Sequence, residues 1–198
     1  MSSLEGLLTR IRQCELCEAH LPLGPRPVVQ ASSESRILLV GQAPGRKVHA
    51  SGKPFDDASG DRLRAWLGVS RETFYDAKAF AIAPMGFCYP GTGLNGDLPP
   101  RPECAPTWRP QLLSHLEQRQ FTLLIGRYAI DWHCSRKYTS VREAVADWET
   151  MWPAQVALPH PSPRNNRWLR NNPWFEAELV PRIRERVQML LGRAAQAY

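Results

Sequence analysis

The chain has 198 residues, 43% of them hydrophobic, which supports one sizeable core and is too short for two comfortable domains; a single domain over 1–198 is expected. No stretch approaches the roughly 18 to 20 consecutive apolar residues of a membrane helix, and the first residues lack the apolar run of a signal peptide. A cytoplasmic protein with no membrane partner is therefore expected, while a net charge of +6 suits a nucleic-acid partner without requiring one.

Leu4, Leu7, Leu8 and Ile11 fall at i, i+3, i+4 and i+7, the pattern of a short amphipathic helix capped by Ser2 or Ser3. A Pro-rich segment over 21–35 then leads to Ile37–Val40, a continuous apolar run that reads as a strand buried on both faces. The strand breaks at Gly41, and Gly41-Gln42-Ala43-Pro44-Gly45 allows a sharp turn and a close backbone approach to a ligand. A second punctuated segment, 52–60, carries Phe55, Asp56 and Asp57 before a helix expected from Asp61 to Leu67. A helical turn over 71–75 precedes a strand over 79–83, and a long Gly/Pro-rich stretch to Pro102 reads as an irregular loop, functional or disordered. Beyond it the patterns predict a helix over 103–118, a strand over 121–125, helices over 128–134 and 141–148, and a strand over 156–158. That strand feeds His160-Pro161-Ser162-Pro163-Arg164-Asn165, and a closing helix runs over 175–191. Strands alternating with helices predict an α/β fold, a three-layer α/β/α arrangement around a central, mainly parallel four-stranded sheet.

Charge is concentrated at the C-terminal end. From Arg164 onward seven arginines (164, 167, 170, 182, 184, 186, 193) stand against three glutamates, interleaved with Trp168, Trp174 and Phe175. Basic residues among aromatics suit a phosphate backbone with stacked bases. From Arg182 on, a basic amphipathic helix packed by its aromatics is the preferred reading.

Five cysteines occur, at 14, 17, 88, 104 and 134. In a cytosolic chain the Cys14-x-x-Cys17 pair reads as a metal motif rather than a disulfide. Cys88 and Cys104 lie in the Pro/Gly-rich segment, and four thiolates converging there would tie the N-terminus to it. Such a set holds either an iron–sulfur cluster or zinc. Cys134, in a helical pattern, reads as a buried small hydrophobe.

Together, GQAPG at 41–45, GKPF…SG at 52–60, HPSP at 160–163, PPRPECAP at 99–106 and Cys14, Cys17, Cys88 and Cys104 resemble the uracil-DNA glycosylase superfamily, most closely its iron–sulfur branch. The resemblance implies a monomeric DNA repair enzyme that hydrolyses the N-glycosidic bond of uracil or a related damaged base. It also implies a structural 4Fe–4S cluster on the four cysteines. Phe55 would stack on the extruded base, and Gly41, Gln42, Ala43, Pro44 and Gly45 would line its pocket. His160 would donate to the carbonyl oxygen that gains charge, Ser162 would contact a phosphate, and Arg164, Asn165 or Asn166 would face the duplex. Two positions depart from the family pattern: Val48 stands where an acidic residue activates water, and Pro84 where an asparagine reads the edge of uracil. Asp57 is the expected substitute acid, ahead of Asp56 and His49. The alternative is a member that has lost catalysis and binds damaged nucleic acid.

Overall fold

A computed structural model describes residues 3–94 and 96–192; Ser2, one candidate cap, and Arg193 lie outside the described residues. Four strands, β1 (Ile37–Val40), β2 (Phe80–Ile82), β5 (Phe121–Ile125) and β6 (Gln155–Leu158), form one sheet in the order β2-β1-β5-β6. All three pairings are parallel. Every residue of β1, β2 and β5 is buried. Since alternate side chains of a strand point to opposite faces, total burial requires cover on both sides of the sheet. The outer edge of β2 is closed by Gln30, which exchanges backbone hydrogen bonds with Ile82 at 3.0 and 2.7 Å.

That cover comes from helices. The first, α1 (Leu4–Arg12), is capped by Ser3, whose hydroxyl accepts from Gly6, and it buries Leu7, Leu8 and Ile11. It packs on α5 (Cys104–Ser114). Helix α3 (Ala58–Leu67) begins three residues before the expected start because Asp57 caps it. It packs against α10 (Val180–Leu190). Trp66 meets Phe175 edge-on at 4.9 Å and donates to Glu176 at 3.0 Å. Arg184 donates to the Ala65 carbonyl at 2.8 Å, so this late arginine secures a helix end. The remaining helices are α4 (Arg71–Tyr75), α6 (Arg127–His133) against β5, and α7 (Val141–Ala146) with α8 (Trp148–Met151) against β6.

Several expected boundaries are corrected. The helix expected over 103–118 ends at Ser114, after which the chain turns to bury Leu116. The segment 141–148 is broken at Asp147, whose carboxylate accepts from the Tyr138 hydroxyl at 2.7 Å. The closing helix opens with a π-helical turn, Phe175–Leu179, before α10. Pro181 lacks the N–H that an unbroken α-ladder needs there. Cys134 caps α6 half-buried, its sulfur 3.9 Å from Met151.

Several short elements went unpredicted. A short helix α2 (Arg46–Ser51) follows the GQAPG turn and buries only Val48 and His49, too few for a visible period. A two-stranded antiparallel hairpin, β3 (Thr92–Gly93) with β4 (Gly96–Asp97), stands in the stretch expected to be irregular. Helix α9 (Asn166–Asn171) continues the HPSPRN segment. Among the described residues, no helix is long and apolar enough to cross a membrane.

Candidate active site

A cavity of about 520 Å³ opens at the carboxyl ends of the central strands, where open parallel sheets place their sites. Its walls come from the 41–45 turn after β1, the 54–59 segment, Pro84 after β2, the β3–β4 hairpin and the loop after β6. Gly41, Gln42, Ala43, Pro44, Gly45, Phe55, Asp57, His160, Ser162, Arg164 and Asn165 all line it. Residues far apart in sequence thus meet in one chamber.

Phe55 owes its position to two glycines. A Cβ on Gly41 would lie 3.2 Å from the tip of its ring, so the bare Gly41 backbone lets the ring lie against the turn. A Cβ on Gly60 would lie 1.8 Å from its carbonyl oxygen, so α3 can start beneath Phe55 only with glycine there. Phe55 itself sits at φ 54°, an uncommon conformation for a side-chain-bearing residue, and Arg64 donates to its carbonyl at 3.3 Å.

His160 follows β6 and packs beside Gly126, where a Cβ would lie 3.7 Å from the histidine Cβ. The Ser162 N–H donates to its Nδ1 at 3.2 Å, and Asn165 donates to its carbonyl at 2.7 Å. With Nδ1 committed as an acceptor, a neutral ring carries its proton on Nε2. Burial lowers the His160 pKa from the ordinary histidine value, and the negative charges of Asp57 and then Asp97 partly offset that. The ring is therefore kept as a neutral donor.

Asp57 uses Oδ1 to accept from the Gly60 N–H at 2.9 Å, and its second oxygen remains an acceptor for a bound water. Its neighbour Asp56 does not line the cavity: it pairs with Arg71, whose guanidinium holds its carboxyl below the usual range. His49 is likewise turned away, buried with its ring centroid 6.0 Å from that of Tyr89. The side chain of Gln42 donates through Nε2 to the Leu98 carbonyl at 2.9 Å. Gln42 thus braces the hairpin while lining the cavity.

Sequence patterns missed Asp97. The hairpin carries it into the cavity wall, where Oδ1 accepts from the Thr92 hydroxyl at 3.1 Å. Its Oδ2 is only 3.3 Å from where a Gly45 Cβ would be. The one available signal was the pair Gly93 and Gly96 flanking a short turn, which reads as a hairpin only once its strands are known. Val48 and Pro84, the two departures, both line the cavity.

The four cysteines 14, 17, 88 and 104 line a second, separate cavity together with Leu16, Arg101 and Trp108. Burial first, and then the charge of neighbouring cysteines, pushes the Cys88 thiol up to about 11 and the Cys104 thiol up to about 12. Backbone N–H groups meet two sulfurs: Phe87 donates to Cys104 at 3.3 Å, and Arg26 hydrogen-bonds Cys88. Nearby, Arg109 is 1% exposed and donates to the carbonyls of Ala83 and Pro84, with His133 at 3.1 Å. Burial lowers this guanidinium to about 10, and the group that favours its charge is Cys104. Burial and the positive charges of Arg109 and Arg119 hold His133 at about 3. A buried cation beside four convergent thiols suits a group bound as thiolates. As they stand, no three or more His, Cys, Asp or Glu among the described residues form a ready single-ion site.

Comparison with known proteins identifies a family. The family model described as "Uracil DNA glycosylase superfamily" matches residues 28–184. A type-4 uracil-DNA glycosylase of Archaeoglobus fulgidus is 30% identical over 87 residues, 42% of this chain and 44% of that protein. A type-4 uracil-DNA glycosylase of Thermotoga maritima is 29% identical over 84 residues, 41% of this chain and 44% of that protein. The chain therefore matches less than half the length of each relative.

Proposed function

The chain belongs to the uracil DNA glycosylase superfamily, and on that premise we infer that it is a DNA base-excision glycosylase acting on uracil or a related deaminated or damaged base. The observation that carries this reading is His160, lining the same cavity as Phe55 with Nδ1 occupied and Nε2 left to donate. Breaking the N-glycosidic bond leaves an anionic base and a cation-like sugar, so prepositioned charge and exclusion of water do most of the work. The base leaves the duplex stack, enters the cavity and stacks on Phe55. His160 Nε2–H then stabilises the carbonyl oxygen on which negative charge develops. Asp57 and Asp97, the two carboxylates facing this histidine, stabilise the sugar cation, and Asp57 holds the attacking water through Oδ2. This division replaces the acid absent at Val48.

Pro84 offers no amide, and the Gln42 amide nitrogen is engaged by the Leu98 carbonyl, so base choice rests on shape, backbone contacts and the acceptor oxygen of Gln42. Such a site discriminates less sharply than one with a dedicated hydrogen-bonding side chain, so its substrate is a group of related lesions. Cys14, Cys17, Cys88 and Cys104 hold a 4Fe–4S cluster in this reading, with zinc as the alternative; the cluster supplies a cross-link between the N-terminus and the segment before α5. The protein acts on DNA as a cytoplasmic monomer.

The test is alkali-induced cleavage of single- and double-stranded oligonucleotides carrying uracil, hypoxanthine, xanthine or an alkylated base. Wild type should cleave at least one, and His160→Ala and Asp57→Asn/Asp97→Asn should each lose on the order of 10² or more in single-turnover rate. Binding of every oligonucleotide with cleavage of none would assign the chain to damage binding instead.

A further inference from the structure

The largest fully buried side chain among the described residues is a charged one. Arg109, 1% exposed, stands on α5, the helix that begins at Cys104. A buried cation is stable beside an anion, yet among the described residues no Asp or Glu forms an ion pair with it. Its hydrogen bonds go to neutral groups. Nη1 donates to the Ala83 and Pro84 carbonyls at 3.0 and 3.2 Å, Nη2 donates to His133 Nε2 at 3.1 Å, and Nε is buried without a partner. Arg119 adds like charge nearby, and the group that favours the cation is Cys104.

The carbonyls that Arg109 holds begin a segment running between the two cavities. Pro84 lines the base cavity, while Gly86, Phe87 and Cys88 line the cysteine cavity. Between them the Met85 and Gly86 N–H groups donate to the Gly41 and Gln42 carbonyls, each at 2.9 Å, so the segment also backs the turn after β1. Helix α5 holds it at both ends: Arg109 takes the first two carbonyls, and Cys104 Sγ accepts from the Phe87 N–H at 3.3 Å. Pro84 brings only its shape to the base, so its backbone must be held in place for that shape to select.

Four thiolates around either zinc or a 4Fe–4S core leave a net negative charge. Such a group supplies what the buried guanidinium needs. We propose that Arg109 is a positioning residue shared by the two cavities: it is the counter-charge of the anionic group held by the cysteines, and it pins the Ala83 and Pro84 carbonyls so that the base cavity keeps its wall while that group is bound. This rests on the reading of Cys14, Cys17, Cys88 and Cys104 given above, and not on which lesion is excised.

The experiment uses the full chain as purified, with iron, zinc and acid-labile sulfide measured first. It compares wild type with Arg109→Met, which removes the charge, and Arg109→Lys, which keeps the charge without the guanidinium fork. Arg109→Met should lose metal to excess EDTA about tenfold faster or more, while Arg109→Lys stays nearer wild type. Amide exchange over 83–88 should quicken about tenfold or more in both variants, since neither presents the fork that spans two carbonyls and His133. A melting cycle isolates the charge: Cys104→Ser should lower the melting temperature more in the wild-type background than in Arg109→Met, where the cation is gone. Should Arg109→Met fail to fold, Arg109→Gln takes its place in each measurement. Equal metal loss in Arg109→Met and wild type, or melting shifts that simply add, would overturn the counter-charge, and unchanged exchange over 83–88 would overturn the pinning of the wall. Wild type that takes up neither iron nor zinc overturns the reading of the four cysteines and this inference together, whereas metal-loaded wild type with unaltered variants overturns this inference alone.

Discussion

Replacing Gly60 by alanine probes the backbone contact that sets Phe55 in the pocket. The added methyl would stand 1.8 Å from the Phe55 carbonyl oxygen, 2.7 Å from its carbonyl carbon and 2.9 Å from its Cβ. Real Cβ contacts essentially never fall below 3.0 Å, so the carbonyl must retreat from 1.8 to at least 3.0 Å, about 1.2 Å. The obstacle is backbone, already at φ 54° and held by Arg64, so no flexible side chain can yield instead. Overpacking of this kind costs ~1–3 kcal/mol, or roughly 2–12 °C in melting temperature for a domain of this size. A misplacement of ~1 Å in a substrate-positioning group costs on the order of 10²-fold in rate. Gly60→Ala should therefore melt somewhat lower while losing about 10²-fold in single-turnover excision, measured with thermal unfolding by circular dichroism alongside. Phe55→Leu separates the two effects: it spares the backbone and removes only the stacking face, worth ~1–3 kcal/mol per base. Wild-type melting together with a rate within twofold of wild type in Gly60→Ala would refute this account of how Phe55 is positioned.

Two further outcomes follow from the titratable groups. The His160 pKa is lowered in the folded chain, so at any pH below 6.5 a smaller fraction of it is protonated than of a free imidazole. The excision rate should accordingly hold as pH falls through 6.5 and decline only at more acid values; a midpoint at or above 6.5 contradicts a neutral donor. Cys104→Ser should abolish bound metal and lower the melting temperature, read by metal and acid-labile sulfide analysis. Iron with sulfide in the wild type supports the cluster, zinc without sulfide supports the alternative, and unchanged metal content in Cys104→Ser removes that residue from the ligand set.

Most of the sheet was legible in the chain because fully buried parallel strands announce themselves as apolar runs. Ile37–Val40 and Phe121–Ile125 begin and end in the structure where the runs do. Likewise the turns after β1 and β6 were legible, since Gly41, Gly45 and His160-Pro161 punctuate the chain at the strand ends, and a parallel sheet delivers strand ends to one side. Short elements left no such mark: α2 has six residues with two buried, and each strand of the hairpin has two. Elements this small are held by contacts with the rest of the molecule, not by periodicity of their own.

By itself, then, the sequence determined the α/β class, the parallel strands, the residues that gather at their carboxyl ends and the four cysteines that share a cavity. Only the tertiary structure decided how those residues are used. It ties the Gln42 amide to the Leu98 carbonyl, turns Asp56 to Arg71 and brings Asp97 beside Gly45. Each depends on a partner distant along the chain, and the burial and charge that such a partner imposes on a side chain exist only once the two are folded together.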